Sequence, residues 1–434
     1  MSTENGAYVF MYLPRQGFVP SGVVQVIEDA GRVLRCRFQY EDSYLHRADV
    51  PALDPQALPM SVGDRITDPP AGFPMHPVFL DHIPDAWGQR ILGAIAAEQG
   101  MPLDYFDLLV SGSYNRIGAL AFGDDPEGPR WNYPLQPVFE QAFQIDLQGV
   151  MEAVEEFQAK GYHELSTICR EYLATGSSVG GARPKALCVL DGKPVIAKFK
   201  AADDTFNVCR VEHAALRLAE SLDMRVSTSR RIEVAGRDVF ISERFDRAGE
   251  DRVHLVSAAT MIKAAPDWRP IGSFSYQDLA RAVSFYGAPD RVQPDREELF
   301  RRMVYNMLTA NEDDHLRNHC FLYQGAGWRL SPLYDVVPGF HAPRHLYLSA
   351  GKQGSLMSLS NSLSDCAAFG LSRDRALNIV EEMTRVFYAA WRDVFNDCGV
   401  PDADMSQLQN IFAAHRLLER ETDQDVIRLL EELR

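Results

Sequence analysis

The segment from Asn311 to Asn318, with the sequence Asn-Glu-Asp-Asp-His-Leu-Arg-Asn, contains the residues best suited to catalysis. Transfer of a phosphoryl group needs a carboxylate that accepts the proton of the attacking hydroxyl, and oxygen ligands for Mg²⁺. The D-x-x-x-x-N loop of kinases supplies both from one turn, and Asp313 and Asn318 have this spacing. We therefore expect Asp313 to be a catalytic base and Asn318 to bind a metal ion.

A second carboxylate is predicted to return to this loop. An apolar strand from Cys320 to Tyr323 is followed by a glycine turn and by a return strand that ends at Asp335. This return brings Asp335 beside Asn318, in the role of the aspartate of the kinase D-F-G segment, although the sequence here is Tyr-Asp-Val. His315 is assigned an orienting role, because a lone histidine is more often a structural hydrogen-bonding group. The alternative is a capped helix end with solvated carboxylates, which explains each residue alone but not their combination.

Two upstream segments are candidates for binding nucleotide phosphates. The cluster from Gly176 to Gly181 is flexible enough for backbone N–H groups to approach phosphates, but Ala182 stands where the Walker pattern requires lysine, which disfavours a P-loop NTPase. The strand Val195-Ile196-Ala197-Lys198 is similar to the V-A-I-K strand of kinases and makes Lys198 the candidate phosphate ligand. Glu212 on the next helix is available to pair with Lys198. The plainer alternative is that Lys198 lies at a solvated strand edge and Glu212 on a helix surface.

The segment from Glu243 to Arg247 ends an apolar strand where the β-containing half gives way to a helical half. Backbone groups of Glu243 and Phe245 are candidates for hydrogen bonds to adenine at this position. A cluster of salt bridges at the strand end explains the same residues equally well. Both interpretations stay open at the level of sequence.

The elements that position these residues follow from hydrophobic patterns. Strands are predicted at Tyr8–Leu13, Val23–Val26, Val33–Phe38, Ala186–Leu190 and Val195–Phe199. Helical patterns cover Asp85–Glu98, Leu147–Phe157, Tyr162–Leu173, Arg296–Ala310, Arg373–Asp397 and Met405–Arg434. The stretch from Gly123 to Pro137 is rich in proline, glycine and aspartate and is the predicted domain boundary.

The composition excludes several classes of protein. Charges interrupt every apolar run before it reaches the roughly 18 residues of a membrane span, and no basic and apolar leader opens the sequence. We therefore expect a cytoplasmic protein without a membrane partner. The seven cysteines include no C-x-x-C pair of the kind that binds zinc. With 44 basic and 60 acidic residues, the net charge of −16 opposes direct binding to DNA.

Taken in order, these segments resemble the HipA family of bacterial toxin kinases. The resemblance is carried by Ser178–Lys185, Ala197-Lys198, Glu243–Arg247, Asn311–Asn318 and Leu330–Val336, and Phe79–Trp87 extends it to the accessory domain of that family. One departure is Arg183-Pro184, where polar or acidic residues are more usual and where Pro184 removes one N–H donor.

The resemblance implies an α+β, two-lobed protein-kinase-like fold, with an accessory domain at residues 1–126, a kinase N-lobe at 145–255 and an all-helical C-lobe at 256–434. It implies an ATP- and Mg²⁺-dependent protein serine/threonine kinase in which Asp313 is the base, and Asn318 and Asp335 bind the metal. The implied nucleotide-binding residues are Ser178, Val179, Gly180, Gly181, Lys185, Lys198, Glu243, Phe245 and His315.

The resemblance also implies regulation and partners. Members of the family can autophosphorylate a loop serine, and Ser178 falls at the matching position, with Ser177 adjacent. They are usually neutralised by a small helix-turn-helix antitoxin, HipB-like, through which any contact with DNA is made. Well-studied members phosphorylate aminoacyl-tRNA synthetases, and that target is carried here by analogy.

Two other functions fit the same residues. A kinase-like phosphotransferase acting on a small molecule would keep the same base and metal ligands. A catalytically silent corepressor of a helix-turn-helix antitoxin would not need them, so intact Asp313, Asn318 and Asp335 argue against it.

Overall fold

A computed structural model describes most of the 434-residue chain. The described residues are 3–29, 32–48, 50–60, 66–84, 86–111, 115–130, 146–161, 164–165, 183–264 and 271–434. They form two compact units. Unit 1 combines residues up to 203 with 232–266, and unit 2 combines 204–231 with 267–434.

The secondary structure alternates between strands and helices in the first half of the chain and is mainly helical in the second. The strands are β1 (Thr3–Leu13), β2 (Gly17–Asp29), β3 (Arg32–Tyr40), β4 (Ile66–Thr67), β5 (Leu120–Gly123), β6 (Lys185–Leu190), β7 (Lys193–Lys198), β8 (Ser229–Val234), β9 (Arg237–Glu243), β10 (Arg247–Ala248), β11 (Asp251–Arg252), β12 (Leu255–Ser257), β13 (Cys320–Tyr323) and β14 (Trp328–Leu330). The helices are α1 (Asp42–Leu45), α2 (Pro77–Asp81), α3 (Ala86–Gln99), α4 (Tyr105–Val110), α5 (Leu147–Lys160), α6 (Val208–Glu220), α7 (Ala258–Met261), α8 (Tyr276–Tyr286), α9 (Val292–Leu308), α10 (Leu359–Leu363), α11 (Arg373–Asp397), α12 (Asp402–Ile411), α13 (Ala414–Leu418) and α14 (Gln424–Glu432).

Unit 1 begins with a five-stranded sheet in the order β4-β3-β2-β1-β5. Strands β1 and β2 form an antiparallel pair that runs from Thr3 opposite Glu28 to Leu13 opposite Gly17. Alternate residues such as Val24 and Val26 are fully buried, as expected for a sheet with one face on the core. The three strands predicted in this region and the helix predicted from residue 85 are confirmed as β1, β2, β3 and α3.

A second sheet has the order β6-β7-β9-β8, and its strands β6, β7 and β9, which pair antiparallel, lie in unit 1. Helix α5 is amphipathic, and its apolar face, with Val150, Val154 and Phe157, shares a core with residues of β6, β7 and β9. Trp87 and Ile91 of α3 join the same core, so the N-terminal region packs on this sheet. Both predicted strands, β6 and β7, are confirmed. The predicted boundary at Gly123–Pro137 lies within unit 1 and stays a prediction, since residues 131–145 are outside the described part.

Unit 2 is built around α9, whose residues from Leu299 to Leu308 are nearly all buried. Helix α6 buries Val208, Val211, Ala215 and Leu218, which recur at helical spacing, and Leu222 just beyond its end is buried as well. Helix α11 has the predicted bounds, Arg373–Asp397. The predicted helical region from Met405 to Arg434 consists of three helices, α12 to α14, because the chain leaves the helical conformation at Ala413 and again at Asp423, whose side chain caps α14.

The predicted fold class is confirmed, with a β-rich first half and a helical second half. The description of the second half as all-helical is too strict, because β13 and β14 form an antiparallel hairpin within unit 2. Among the helices that the structure describes, none combines the length and the apolar character needed to cross a bilayer.

Candidate active site

The segment Asn311–Asn318 forms a compact loop at the end of α9. Ala310 has a left-handed backbone (φ 53°), which ends the helix and turns the chain into the loop. The backbone N–H of Asp313 donates to Oδ1 of Asn311 at 3.3 Å, and Nδ2 of Asn318 donates to the carbonyl oxygen of Asp313 at 2.5 Å. The loop is thus closed on both sides of Asp313, while the Asp313 side chain is 77% exposed and accessible to a substrate.

His315 lies beside the candidate base. Its Nε2 is 3.9 Å from Oδ1 of Asp313, which is longer than a hydrogen bond. Its ring packs edge-on against Tyr347, with the ring centroids 6.1 Å apart. The structure therefore brings His315 near Asp313 but does not give it a direct hydrogen bond to the carboxylate.

A buried hydrogen-bond network fixes the loop to neighbouring parts of unit 2. Nδ2 of Asn311 donates to Oδ1 of Asn306 on α9 at 3.0 Å, and Nδ2 of Asn306 donates to the hydroxyl oxygen of Tyr276 on α8 at 2.8 Å. The Tyr276 hydroxyl donates in turn to Oδ2 of Asp314 at 2.8 Å, and Oδ1 of Asp314 accepts the backbone N–H of Tyr347 at 2.6 Å. This network connects the loop to α8, to α9 and to the chain near residue 347.

Burial dominates the electrostatics of this network. It raises the pKa of Asp314 to about 7, although hydrogen bonds from Tyr276 and Tyr347 oppose the shift. Burial, followed by the nearby Asp314 carboxylate, also raises the pKa of Tyr276. Asp314 therefore positions the loop and is not an exposed reactive group. Sequence reasoning missed Asp314, Tyr276 and Asn306, and the one available signal was an asparagine on the buried face of an apolar helix.

The hairpin that carries Asp335 returns to the loop as predicted. In β13 and β14, Phe321 lies opposite Leu330, and the backbone N–H of Ser331 donates to the Cys320 carbonyl at 2.8 Å. The hydroxyl of Tyr334 then donates to the carbonyl oxygen of Arg317 at 2.7 Å. Because Tyr334 precedes Asp335 and Arg317 precedes Asn318, this bond brings together the two segments that hold the predicted metal ligands.

The conformation of Asp335 is unusual. Its backbone is left-handed (φ 57°), a region that costs most non-glycine residues about 1–3 kcal/mol and that is concentrated at functional sites. Aspartate and asparagine tolerate it better than other residues. The chain two residues before it is fixed by backbone hydrogen bonds: the N–H of Leu333 donates to the Arg225 carbonyl at 2.7 Å, and the Leu333 carbonyl accepts the N–H of Ser227 at 2.8 Å.

The two predicted ligands are chemically suited to Mg²⁺. Nδ2 of Asn318 is engaged with the Asp313 carbonyl, so its amide oxygen is the atom that remains for a cation. One amide oxygen and the Asp335 carboxylate form a small set of hard oxygen donors, and Mg²⁺ typically takes few protein ligands and keeps several waters. Within the described ranges there is no group of three or more histidine, cysteine and acidic side chains that could bind a metal in a closed protein cage.

The predicted phosphate-binding lysines lie side by side in unit 1. Lys185 of β6 pairs directly with Lys198 of β7, and residues in direct register have their side chains on the same face of a sheet. Lys185 is buried, and Nζ of Lys198 lies 5.5 Å from the ring centroid of Phe240 on β9. Two lysines on the same face of a sheet are chemically suited to bind an oligophosphate. Glu212 is buried on α6 in unit 2, and its pairing with Lys198 stays a prediction.

The Glu243–Arg247 segment contains a buried ion-pair cluster. Arg244 donates to both carboxylate oxygens of Asp246 at 2.9 and 2.8 Å, and Arg247 donates to Asp246 at 2.8 Å. The same groups bind residues 115–118: Arg244 donates to the Arg116 carbonyl at 2.9 Å, and Gly118 donates to Asp246 at 2.6 Å. Burial alone would raise the pKa of Asp246, but Arg244 and Arg247 outweigh it and hold that pKa below its usual range.

This cluster answers one question that the sequence left open. For Arg244, Asp246 and Arg247 the salt-bridge interpretation is correct. The carboxylate of Glu243 lies apart from the cluster and binds Nζ of Lys193 at 2.7 Å. Contacts of the Glu243 and Phe245 backbones with adenine stay a prediction. The remaining predicted phosphate ligands and modification sites, Ser177, Ser178, Val179, Gly180 and Gly181, lie outside the described residues.

The chain is similar to several known proteins. Residues 177–391 match the model of the HipA-like C-terminal domain. A putative kinase of Haemophilus influenzae is 25% identical over 223 residues, which are 43% of this chain and 64% of that protein. The putative kinase Y4mE of Sinorhizobium fredii is 23% identical over 327 residues, 69% of this chain and 71% of that protein.

Two further matches come from Shewanella oneidensis. Its serine/threonine-protein kinase toxin HipA is 25% identical over 188 residues, which are 37% of this chain and 42% of that protein. A solved structure of the Shewanella oneidensis MR-1 toxin–antitoxin system, described as HipA, HipB and their operator DNA in complex, matches with a TM-score of 0.65 at 17% identity. That match covers 98% of this chain and 97% of the solved chain, and it shows a shared fold.

Proposed function

This chain belongs to the HipA family, and from that membership we propose that it transfers the γ-phosphate of ATP to serine or threonine residues of a protein. The observation that most supports the proposal is the loop Asn311–Asn318. It presents the carboxylate of Asp313, which is 77% exposed, from a backbone fixed by Asn311 and Asn318. An accessible carboxylate on a rigid support is what a base for a protein hydroxyl requires.

In the proposed mechanism, Asp313 accepts the proton of the attacking hydroxyl on a carboxylate oxygen as that hydroxyl oxygen bonds to the γ-phosphorus of ATP. The bond between the γ-phosphorus and the β–γ bridging oxygen breaks in the same transfer, and ADP leaves. The amide oxygen of Asn318 and the carboxylate of Asp335 would hold Mg²⁺, which would supply positive charge to the phosphates of the nucleotide. Lys185 and Lys198, which are direct neighbours across β6 and β7, bind the nucleotide phosphates. His315 orients the loop beside Asp313.

We also propose that the chain acts as the toxin of a toxin–antitoxin pair. The solved relative is described together with HipB and operator DNA, which supports a helix-turn-helix antitoxin as partner. The net charge of −16 favours contact with DNA through such a basic partner and not through this chain. An aminoacyl-tRNA synthetase is the proposed target by analogy, and Ser178 is the proposed site of autophosphorylation.

The kinase proposal is tested with purified protein, radiolabelled ATP and a bacterial lysate. Wild type should label a protein band in a Mg²⁺-dependent reaction. Asp313→Ala should lower the labelling rate at least about 100-fold, since a positioned general base contributes about that much. Glu312→Ala, which changes an exposed neighbouring acid paired with His341, is the matched control and should keep most of the activity.

Two outcomes decide against the proposal. Near-wild-type labelling by folded Asp313→Ala removes this residue from the reaction. Label that appears only in small molecules and never in protein assigns the chain to the small-molecule phosphotransferases instead.

A further inference from the structure

Two ion pairs connect α9 to the hairpin that leads to Asp335. Nη2 of Arg225 lies 3.0 Å from Oδ1 of Asp295, and Nε of Arg302 lies 3.1 Å from Oε1 of Glu298. Asp295, Glu298 and Arg302 all belong to α9 and are buried. The side chain of Arg225, which lies beyond the end of α6, is 34% exposed. We call Arg225–Asp295 and Arg302–Glu298 the α9 ion pairs.

Both α9 ion pairs bind the backbone at the end of the hairpin. Nη2 of Arg225 donates to the carbonyl oxygen of Leu330 at 2.9 Å. Oδ2 of Asp295 accepts the backbone N–H of the same Leu330 at 2.7 Å. Nη2 of Arg302 donates to the next carbonyl oxygen, that of Ser331, at 2.5 Å. One ion pair thus binds both backbone polar groups of Leu330, and the other binds the carbonyl that follows.

Arg225 binds the same segment a second time, through its own backbone. Its carbonyl oxygen accepts the N–H of Leu333 at 2.7 Å, while its side chain binds Leu330. Pro332, between these two contacts, has a φ angle fixed by its ring. A single residue therefore fixes both ends of a four-residue segment that stops two positions before Asp335.

The α9 ion pairs fix geometry more than they add stability. A buried ion pair often adds little net stability compared with apolar side chains of the same size, because removing two charges from water offsets much of their attraction. Charge-assisted hydrogen bonds are nevertheless short and directional. The backbone that they fix here leads to Asp335, whose carboxylate is the proposed Mg²⁺ ligand. Mg²⁺ demands near-ideal octahedral geometry with short bonds, so a displaced carboxylate would bind it poorly.

We propose that Arg225 is a positioning residue for the metal site: by fixing residues 330–333 it places the carboxylate of Asp335 where it can bind Mg²⁺. This inference rests on the proposed function, since it takes Asp335 as a metal ligand. Arg302 contributes in the same way through its bond to the backbone. Both arginines act through the chain that carries the ligand and not by binding the metal.

Calorimetric titration of the full chain with a non-hydrolysable ATP analogue tests the proposal, once with Mg²⁺ and once with a chelator that removes it. Arg225→Met removes the guanidinium group and keeps most of the length of the side chain. It should weaken binding with Mg²⁺ at least about tenfold, as is usual for residues that orient a metal ligand from outside its coordination sphere. Binding in the chelator should stay unchanged. A loss of folded protein would instead lower the number of binding sites under both conditions.

Two further variants complete this experiment. Arg225→Lys keeps the charge beside Asp295 but not the fork of donors, so it should lose affinity with Mg²⁺ by a smaller factor. It carries the comparison alone if Arg225→Met does not fold. Arg385→Met, which removes an exposed arginine of α11 paired with Glu432, is the matched control and should bind as wild type does under both conditions.

Hydrogen exchange in residues 330–333 provides a measurement that needs no ligand. The backbone N–H groups of this segment should exchange at least about tenfold faster in Arg225→Met than in wild type, because the contacts that hold the segment closed are lost. Arg385→Met should leave this exchange unchanged.

The outcomes separate this proposal from the proposed function. Wild-type affinity with Mg²⁺ in Arg225→Met, or unchanged exchange of residues 330–333, overturns the positioning role. An equal loss of affinity with Mg²⁺ and with the chelator also overturns it, because Arg225 then serves only the stability of unit 2. Wild-type binding that does not depend on Mg²⁺ is a different result: it overturns the proposed metal site itself, and the positioning role with it.

Discussion

Asp313 and Asp314 are adjacent in the chain but occupy opposite environments. The side chain of Asp313 is 77% exposed, whereas Asp314 is 1% exposed and accepts hydrogen bonds on both carboxylate oxygens. A buried carboxylate fixed on both oxygens cannot approach a substrate, and an exposed one needs an anchored backbone to be placed accurately. In the proposed mechanism, Asp314 therefore positions the loop and Asp313 takes part in the reaction.

Asp335→Asn tests the metal assignment at the scale of one residue. Asparagine tolerates the left-handed backbone, so the substitution removes a negative charge with little added strain. We expect the affinity for ATP in the presence of Mg²⁺ to fall at least about tenfold. The affinity for ATP measured with a chelator that removes Mg²⁺ should stay unchanged. Asp290→Asn, at a 72% exposed position, is the control and should show neither change. A Mg²⁺ dependence equal to that of wild type would rule out Asp335 as a ligand.

Asp314→Asn should change how the stability of the protein depends on pH. The pKa of Asp314 is raised to about 7 in the folded state, against roughly 4 in an unfolded chain. Between these values the folded state binds more protons, so this residue makes the free energy of unfolding decrease as pH rises from about 4 to about 7. The substitution should remove that part of the decrease, as measured by urea denaturation across this range.

The control for this experiment is Glu312→Gln, which changes an exposed acid in the same loop. Its pH profile should parallel that of wild type. A profile of Asp314→Asn that also parallels wild type would contradict a raised pKa at Asp314.

At the scale of elements, the sequence predicted the two segments on either side of the loop but not a contact that positions the loop. The hairpin of β13 and β14 followed from its apolar runs and glycine turn, and α9 followed from its helical periodicity, because both are local patterns. The hydrogen bond from Gly339 to Ala310 has no such local signal, since it joins residues in irregular backbone. Sequence could predict the elements but not the contact that sets their spacing.

Gly339→Ala tests this contact. A Cβ at Gly339 would lie 2.9 Å from the Ala310 carbonyl oxygen and 2.8 Å from ring carbons of Pro343, which is too close for either to stay in place. Overpacking of this kind costs about 1–3 kcal/mol. We expect activity to fall at least about tenfold, because a displaced loop misplaces Asp313.

Gly128→Ala provides the comparison, because a Cβ there meets no atom within 4 Å. Its activity and urea midpoint should both equal those of wild type. Full activity in Gly339→Ala would mean that the position of the loop does not depend on this contact.

At the scale of the whole molecule, the sequence predicted the fold class and the order of the segments but not how distant parts of unit 1 are joined. Asp246 and Gly118 are separated by 128 positions, and no periodicity connects them. Asp81 similarly accepts hydrogen bonds from Ser257 and Thr260, far along the chain. Such long-range polar contacts depend on the folded arrangement of elements, which is why Glu243–Arg247 supported two interpretations at the level of sequence.

Asp246→Asn should therefore destabilise unit 1 as a whole. The substitution keeps the size of the side chain but leaves Arg244 and Arg247 buried without a counter-charge, and breaking a buried pair in this way costs about 3–5 kcal/mol. The free energy of unfolding from urea denaturation should fall by that amount. Glu243→Gln, three residues earlier, removes an exposed pair with Lys193 and should cost at most about 1 kcal/mol. If both variants lose the same small amount, the buried cluster does not hold residues 115–118 to the strand end, and the two parts of unit 1 must be joined by their apolar core alone.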